Sequence, residues 1–405
     1  MDYVPPKKIL ERYADVMVNF ALGNGRGLKK GETVYLIVNE YAKPLYAELL
    51  KAIIKAGGNV IPSYLPDDAD RYNTGRDFFS LASEEQLNFF PAKYYKGLVD
   101  QCDHSLYIIA NTNPHALKGV DPKKIMLRGK AMKPYMDWRR EKENKGKFTW
   151  TLALYGTPAA AAEAGISLEE YWQEIIKACF LDKSDAVARW KKVSGQIQDY
   201  SQKLTDLKID RVHVEGKDVD LWVKIGEKRK WIGGRGANIP SFEIFTSPDW
   251  RGTEGWIKFD QPLYRYGNLI EGIELEFKNG KVVKSKAKKN EKVLREMIAT
   301  EGADQVGEFS LTDRRFSRIS RFMAETLYDE NFGGDHGNTH IALGSSYHDC
   351  YAGNPDKVTK QGWSKLGFND SSVHTDIIST TDRAVTAYLP NGKSLAIYQD
   401  GQFKI

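Results

Sequence analysis

Cysteine is scarce in this 405-residue chain: Cys102, Cys179 and Cys350 are odd in number, far apart and never paired as Cys-x-x-Cys. That excludes a disulfide framework and a zinc ribbon. Long hydrophobic runs are missing as well. No stretch approaches the roughly 18 uncharged apolar residues that a bilayer-spanning helix needs, so a membrane protein is not expected. The first residues, Met1 to Tyr13, carry charges where a signal peptide has its apolar core, which predicts a reducing cytoplasm. Neither sign of charge is in large excess: 59 basic and 54 acidic side chains give a formal charge of +5. The densest basic cluster runs from Lys278 to Lys292 and includes Lys281, Lys284, Lys286, Lys288 and Lys289. No aromatic residue lies between these lysines to stack on bases, so it reads as a solvated hairpin arm and not as a nucleic-acid surface.

What the chain does have is ample material for packed cores, with 41% hydrophobic and 12% aromatic residues. At about 150 residues per domain, two or three domains are expected. Pro6 to Leu22 has the helical spacing of Ile9, Tyr13, Val16 and Phe20. Thr33 to Val38 reads as a buried strand, Leu45 to Ala56 as a helix, and Val60 to Leu65 as a second strand, the order of a parallel βαβ unit. His104 to Ile109 and Thr149 to Leu154 add further strands. Ser167 and Glu170 have capping-box spacing, and Ser184 to Leu207 reads as a helix near a domain boundary. Beyond it the pattern changes to period 2: Val219, Leu221, Val223 and Ile225 alternate with polar neighbours. Asn279-Gly280 predicts a hairpin, and Val385 to Leu389 and Leu395 to Tyr398 form another pair. Helices are expected near Glu291 to Ala299 and Thr312 to Leu327. The fold class is therefore an α/β N-terminal domain, residues 1–190, plus an α+β C-terminal domain, residues 191–405, with a largely antiparallel sheet.

Only seven histidines occur: His104, His115, His213, His336, His340, His348 and His374. Four follow residue 335, where Asp335, Asp349 and Asp376 also lie, just beyond Asp329 and Glu330. Such residues suit a divalent metal and hydrolysis. In an extended segment, His374 and Asp376 project to one face and can meet one centre; alone, the tripeptide is better explained by a surface hydrogen bond. His336 and His340 have the spacing of a helical zinc pair, but Gly333-Gly334 and Gly337-Asn338 break any helix and no Glu follows His336. A loop supplying His340 alone suits the sequence better. The clusters Gly23-Asn24-Gly25-Arg26-Gly27 and Gly233-Gly234-Arg235-Gly236 lack the context of phosphate-binding loops and predict turns. Ser345, Ser346 and Cys350 lack the surroundings of a hydrolase nucleophile.

Taken together, the later motifs resemble one family. Asn238-Ile239-Pro240, with Glu243-Ile244-Phe245-Thr246-Ser247-Pro248, is similar to the Asn-x-Pro…Glu-Val-x-Thr-x-Pro motif of the thermophilic metallo-aminopeptidases, the aminopeptidase T and aminopeptidase S family. Gly307-Glu308, Tyr328-Asp329-Glu330-Asn331, the block His340 to Tyr347 and His374-Thr375-Asp376 resemble its further motifs, in the family's order. The resemblance implies a two-metal aminopeptidase acting on peptides with a free N-terminus, and a homodimer. It implies Glu243, Glu308, Glu330, His340, His374 and Asp376 as metal ligands, with Glu308 bridging both ions and Tyr347 as the catalytic tyrosine. A carboxylate-rich set of this kind suits zinc, cobalt or manganese. The competing expectations are a catalytically silent relative that binds metal or peptide, and a basic nucleic-acid-binding protein resting on the lysine arm.

Overall fold

The strand–helix–strand order of the first half forms a parallel sheet, described in a computed structural model that covers residues 3–67 and 72–405. Its strands Asn59–Leu65, Thr33–Asn39, His104–Ile109 and Thr149–Leu154 lie side by side in that order. Thr33–Asn39 is rich in β-branched residues, and Val34, Leu36 and Val38 are all buried. The intervening helix Lys43–Lys55 places Leu45, Leu49 and Ile53 in the same core. The N-terminal helix Lys7–Val16 widens at Met17–Ala21, and Gly23 and Asn24 then turn the chain with φ of 66° and 58°. The first glycine cluster is thus a turn, as expected.

The helix Ala186–Asp206 serves two cores along one face. Its Trp190 stacks on Phe20 and Phe242, at 5.8 and 5.5 Å, while Ile197 and Leu204 enter the core of the second half. Residues beyond 191 also complete the first half. Asn238–Ile239 pairs in parallel with Leu152 and Ala153, and Ile319, Met323, Leu327 and Tyr328 join the first core.

Among the described residues, the second half holds a two-stranded antiparallel sheet, Leu263–Arg265 with Asn268–Ile270, and two large antiparallel ones. The larger orders its strands as Lys281–Lys286, Glu274–Lys278, Glu254–Lys258, Val219–Lys224, Arg211–Gly216, Arg383–Tyr388, Ser394–Gln399 and Gln402–Phe403. Asn279 and Gly280, with φ of 51° and 77°, make the expected hairpin turn. The lysine arm is an exposed edge, and its Lys281, Lys284 and Lys289 pair with Asp304, Glu276 and Glu271. The smaller sheet runs His374–Ser379, Asn338–Gly344, Val306–Thr312, Glu243–Thr246 and Ile232–Gly233. Val212, Leu221 and Val385 of the larger sheet and Phe309, Leu311, Ile341 and Ile377 of the smaller one share a single core. Among the described residues, no helix is long and apolar enough to cross a membrane.

Two helical assignments differ from the sequence reading. Thr312 to Leu327 is not a helix: Thr312 ends a strand, 313–325 is irregular, and only Thr326–Asp329 is helical. Carboxylates take the backbone donors that a helix would need. Buried Asp313 accepts from the N–H of Arg315 and of Phe403, Glu174 accepts from Ser320, and Asp329 accepts from Met323 and Glu325. Conversely, Pro122–Asn144 is a 23-residue helix that the hydrophobic pattern did not disclose. Asp121 caps it and Pro122 opens it, but only Pro122 and Ile125 are buried, so no apolar stripe marks it.

Asp313 is the anchor of the irregular segment, because it also receives the Arg315 guanidinium at 2.9 Å. Asp313→Ala strands the buried Phe403 N–H and frees 313–325 from the sheet. We expect a loss of about 3 kcal/mol in chemical denaturation. A loss below about 1 kcal/mol would show that other contacts hold the segment.

Candidate metal site and its cavity

The smaller sheet sorts its side chains by the two-residue period. Ile244, Phe309, Leu311, Ile341 and Ile377 enter the shared core. Glu243, Glu308, His340, His374 and Asp376 project from the opposite face. Register brings them together: Ala342 lies between Glu308 and Asp376 as cross-strand neighbour of both, and Ser310 lies beside His340. Small residues at these two central positions leave room for the long acids around them. Glu330 joins from the end of the short helix Thr326–Asp329. The expectation that a loop supplies His340 is corrected: it sits inside a strand and is buried.

Distances make Glu308 the centre of the cluster. Its Oε1 lies 3.3 Å from His340 Nε2, and its Oε2 lies 3.5 Å from His374 Nε2. His340 Nε2 is also 3.3 Å from Glu243 Oε2, and His374 Nε2 is 3.4 Å from Asp376 Oδ1. Three overlapping groups have donor atoms within 4.8 Å of one another: Glu243, Glu308 and His340; Glu308, His374 and Asp376; Glu330, His340 and Asp376. All six residues expected from the sequence therefore converge.

Supporting donors fix these acids, and none of them was singled out from the sequence. Ser241 and Ser310 donate to the two oxygens of Glu243, and Asn238 donates to Glu330 at 3.0 Å. His374 Nδ1 lies 2.8 Å from the Ser345 carbonyl. That contact fixes the ring so that Nε2 faces Glu308 and Asp376, the atom a metal-binding histidine would present. Only Asn238 had a signal, in its Asn-x-Pro motif.

The electrostatics also fit a divalent cation. Burial, together with Glu308 and Asp376, pushes Glu243 up to about 7 against the pull of His340. Burial and three acidic neighbours raise Glu330 well above the carboxylate range. Burial would lower His340, but Glu308 and Glu243 override it and lift the imidazole to about 9. Burial opposes ionisation of Asp376 too, yet His374 holds it down at about 2. Four carboxylates crowded in a dry site repel one another, and divalent cations relieve that repulsion.

The cluster floors a cavity of about 390 Å³, a size suited to a small ligand. Tyr347 lines it, its ring 4.8 Å from that of His374 and 5.6 Å from that of Phe245. Burial and the four carboxylates keep its phenol protonated. The opposite wall comes from the helix Pro122–Asn144, through Met136, Arg139, Arg140, Glu143 and Asn144. Sequence reasoning missed this wall because the helix is polar all round. The Gly233 to Gly236 turn lines the cavity as well, with a Cβ at Gly233 falling 2.3 Å from the Glu243 carbonyl oxygen.

Other candidates do not join the cluster, although Ser346, His348 and Asp349 line its cavity. His336 is exposed, 3.6 Å from Asp382. His104, His115 and His213 pair with Glu32, Glu163 and Asp220. Asp349 pairs with Arg235, and Asp329 holds backbone donors. Ser346 accepts from the Asn369 N–H, and burial pushes the Cys350 thiol well up, so neither is a poised nucleophile.

The chain is similar to known proteins over nearly its whole length. The family described as "Thermophilic metalloprotease (M29)" matches residues 6–403. Aminopeptidase AmpS of Bacillus subtilis (strain 168) is 27% identical over 418 residues, spanning 97% of this chain and 98% of that protein. Aminopeptidase T of Thermus thermophilus is 27% identical over 424 residues, spanning 98% and 99%. The solved structure of wild-type AmpT from Thermus thermophilus superposes with a TM-score of 0.79 at 25% identity, covering 98% of this chain and all of that one.

The cavity wall gives a pH prediction independent of the acidic floor. Burial, reinforced by Asp349 and opposed by Arg139 and Arg140, pushes Glu143 up to about 7. An acid raised in the folded state destabilises progressively as pH climbs from its unfolded value toward 7, and has no effect below both values. Glu143→Gln is therefore expected to be more stable than wild type at pH 8, by roughly 1–3 kcal/mol, and to match it at pH 4. Melting of the metal-free proteins at both pH values checks this; a gap of equal size at each would show that the carboxylate's ionisation is not responsible.

Proposed function

The chain belongs to the thermophilic metalloprotease (M29) family, and on that premise we propose that it is an aminopeptidase holding two divalent ions, which removes N-terminal residues from peptides. Membership makes it a peptide-bond hydrolase that uses divalent metal. The observation that carries the finer reading is Glu308, whose two oxygens face different imidazoles, each flanked by a further acid. In this reading Glu243 and His340 serve one side, His374 and Asp376 the other, Glu330 completes the set and Glu308 bridges. Zinc, cobalt and manganese all suit such ligands.

When bound, divalent ions supply Lewis acidity and a hydrolytic nucleophile at neutral pH. The residues themselves supply the rest. A free α-amine of the substrate would be held at the metal-loaded floor, which favours cleavage at the N-terminus. The protonated Tyr347 hydroxyl donates to the oxyanion that develops on the scissile carbonyl. Residues 1–190 enclose the site and 191–405 carry its ligands, in a cytoplasmic homodimer. A protein that binds metal or peptide without catalysis would also keep the acids, but it has no need of a protonated phenol beside them.

Elemental analysis and a panel of aminoacyl amides test the reading: two ions per chain, and activity abolished by chelation, are expected. Glu308→Gln keeps the volume but removes the charge. It should lose at least one ion and nearly all activity while remaining folded; full occupancy in this variant would remove Glu308 from the bridge. Tyr347→Phe should lower kcat by about 10²–10³-fold with KM and metal content little changed. Wild-type kcat would make Tyr347 a packing residue.

A further inference from the structure

The wall helix does more than close the cavity. Arg140 and Asn144 are one helical turn apart and reach the chain on either side of Tyr347. Arg140 Nη2 donates to Ser345 Oγ at 2.7 Å, and Nη1 pairs with Asp370 at 3.1 Å. Asn144 Nδ2 lies 3.1 Å from His348 Nδ1. The His348 ring stacks on Trp363 with centroids 3.7 Å apart. Burial, helped by Arg140, holds that imidazole near 3, so it is neutral and Nδ1 is free to accept.

Tyr347 needs such support. The strand ends at Gly344 and the next helical turn starts at His348, so 345–347 has no regular secondary structure. Its backbone is held by single contacts from separate elements: Ser345 N–H to the Val373 carbonyl, Ser346 N–H to the Asn369 carbonyl, Tyr347 N–H to Ser247 Oγ, the Ser345 carbonyl to His374 Nδ1 and the Tyr347 carbonyl to the Cys350 N–H. Side-chain contacts from the helix fall on Ser345, two residues before the tyrosine, and on His348, the residue after it.

We propose that Arg140 and Asn144 are positioning residues that clamp Ser345 and His348 and so aim the Tyr347 hydroxyl over the acidic cluster. The helix of the first half thereby completes a site whose other members come from the second. The inference rests on the donor role of Tyr347 given above. Displacing a reacting group by about 1 Å can cost 10²-fold, so a loosened clamp acts on kcat and leaves ground-state binding largely intact.

A double-mutant cycle tests it. Arg140→Met and Asn144→Leu remove the polar contacts but keep bulk, and Lys133 still pairs with Asp370 at 3.0 Å. Together they should lower kcat about tenfold or more, with KM within about threefold and metal content unchanged. In a Tyr347→Phe background the same pair should cost less than about twofold, since nothing is left to position. Ser345→Ala removes the acceptor of Arg140 without touching the helix and should reproduce the Arg140→Met loss, so misfolding of the helix variants does not shelter the proposal. Equal losses in both backgrounds, wild-type kcat in Ser345→Ala, or loss of bound ions overturns the clamp. Wild-type kcat in Tyr347→Phe alone overturns the donor role and the clamp with it, and is distinguishable from failure of the clamp alone.

Discussion

Everything in this molecule is arranged around acids that repel one another. Glu243, Glu308, Glu330 and Asp376 share a buried floor with two histidines, and Glu308 stands between both imidazoles. Isolated charges of this kind are not tolerated in an apolar interior. They persist because the opposite face of the same strands carries Ile244, Phe309, Leu311, Ile341, Leu343 and Ile377, locked into the second core. One sheet therefore does two jobs by periodicity: one face provides stability, and the other accepts the electrostatic strain.

That division explains where the secondary support lies. Ser241, Ser310 and Asn238 contribute single hydrogen bonds, too little to neutralise four carboxylates, but enough to orient them. Orientation matters more than charge balance here, since divalent cations supply the positive charge. The same logic accounts for the small residues Ala342 and Ser310 at the middle of the cluster, where any bulk would push the acids apart.

Legibility in the sequence followed range. The hairpin at Asn279-Gly280 and the capping box of Ser167 and Glu170, both formed as expected, depend on residues a few positions apart. His374 and Asp376 were legible for the same reason, two residues apart on a strand. Glu243 and Glu308 were not legible from chemistry: each is a single acid whose partners lie roughly 30 to 100 residues away, and only the motifs resembling a known family drew attention to them, whereas Glu330 stood beside the histidine-rich segment. The helix expected at Thr312 to Leu327 failed because Asp313 takes the N–H of Arg315 two residues on, and Glu174, 146 residues away, takes that of Ser320, a tertiary bond that local propensity cannot register.

The wall helix is the instructive omission. Pro122–Asn144 buries only Pro122 and Ile125 fully, and its half-buried Tyr135 and Trp138 pack on Tyr95 and Phe90 without forming a continuous stripe, so hydrophobic periodicity is silent about it. A helix that is polar all round needs another reason to hold its place, such as bridging between parts of the structure. Here the bridges are explicit: Lys133 and Arg140 meet Asp370, Arg140 meets Ser345, and Asn144 meets His348. Lys142 ties its far side to the carbonyls of Val99 and Cys102. The features that hide the helix from an apolar pattern are thus the ones that let it join the first half of the chain to the floor of the cavity. An absent hydrophobic stripe, set beside a well-capped 23-residue helix, is a signature of polar docking and not of weak structure.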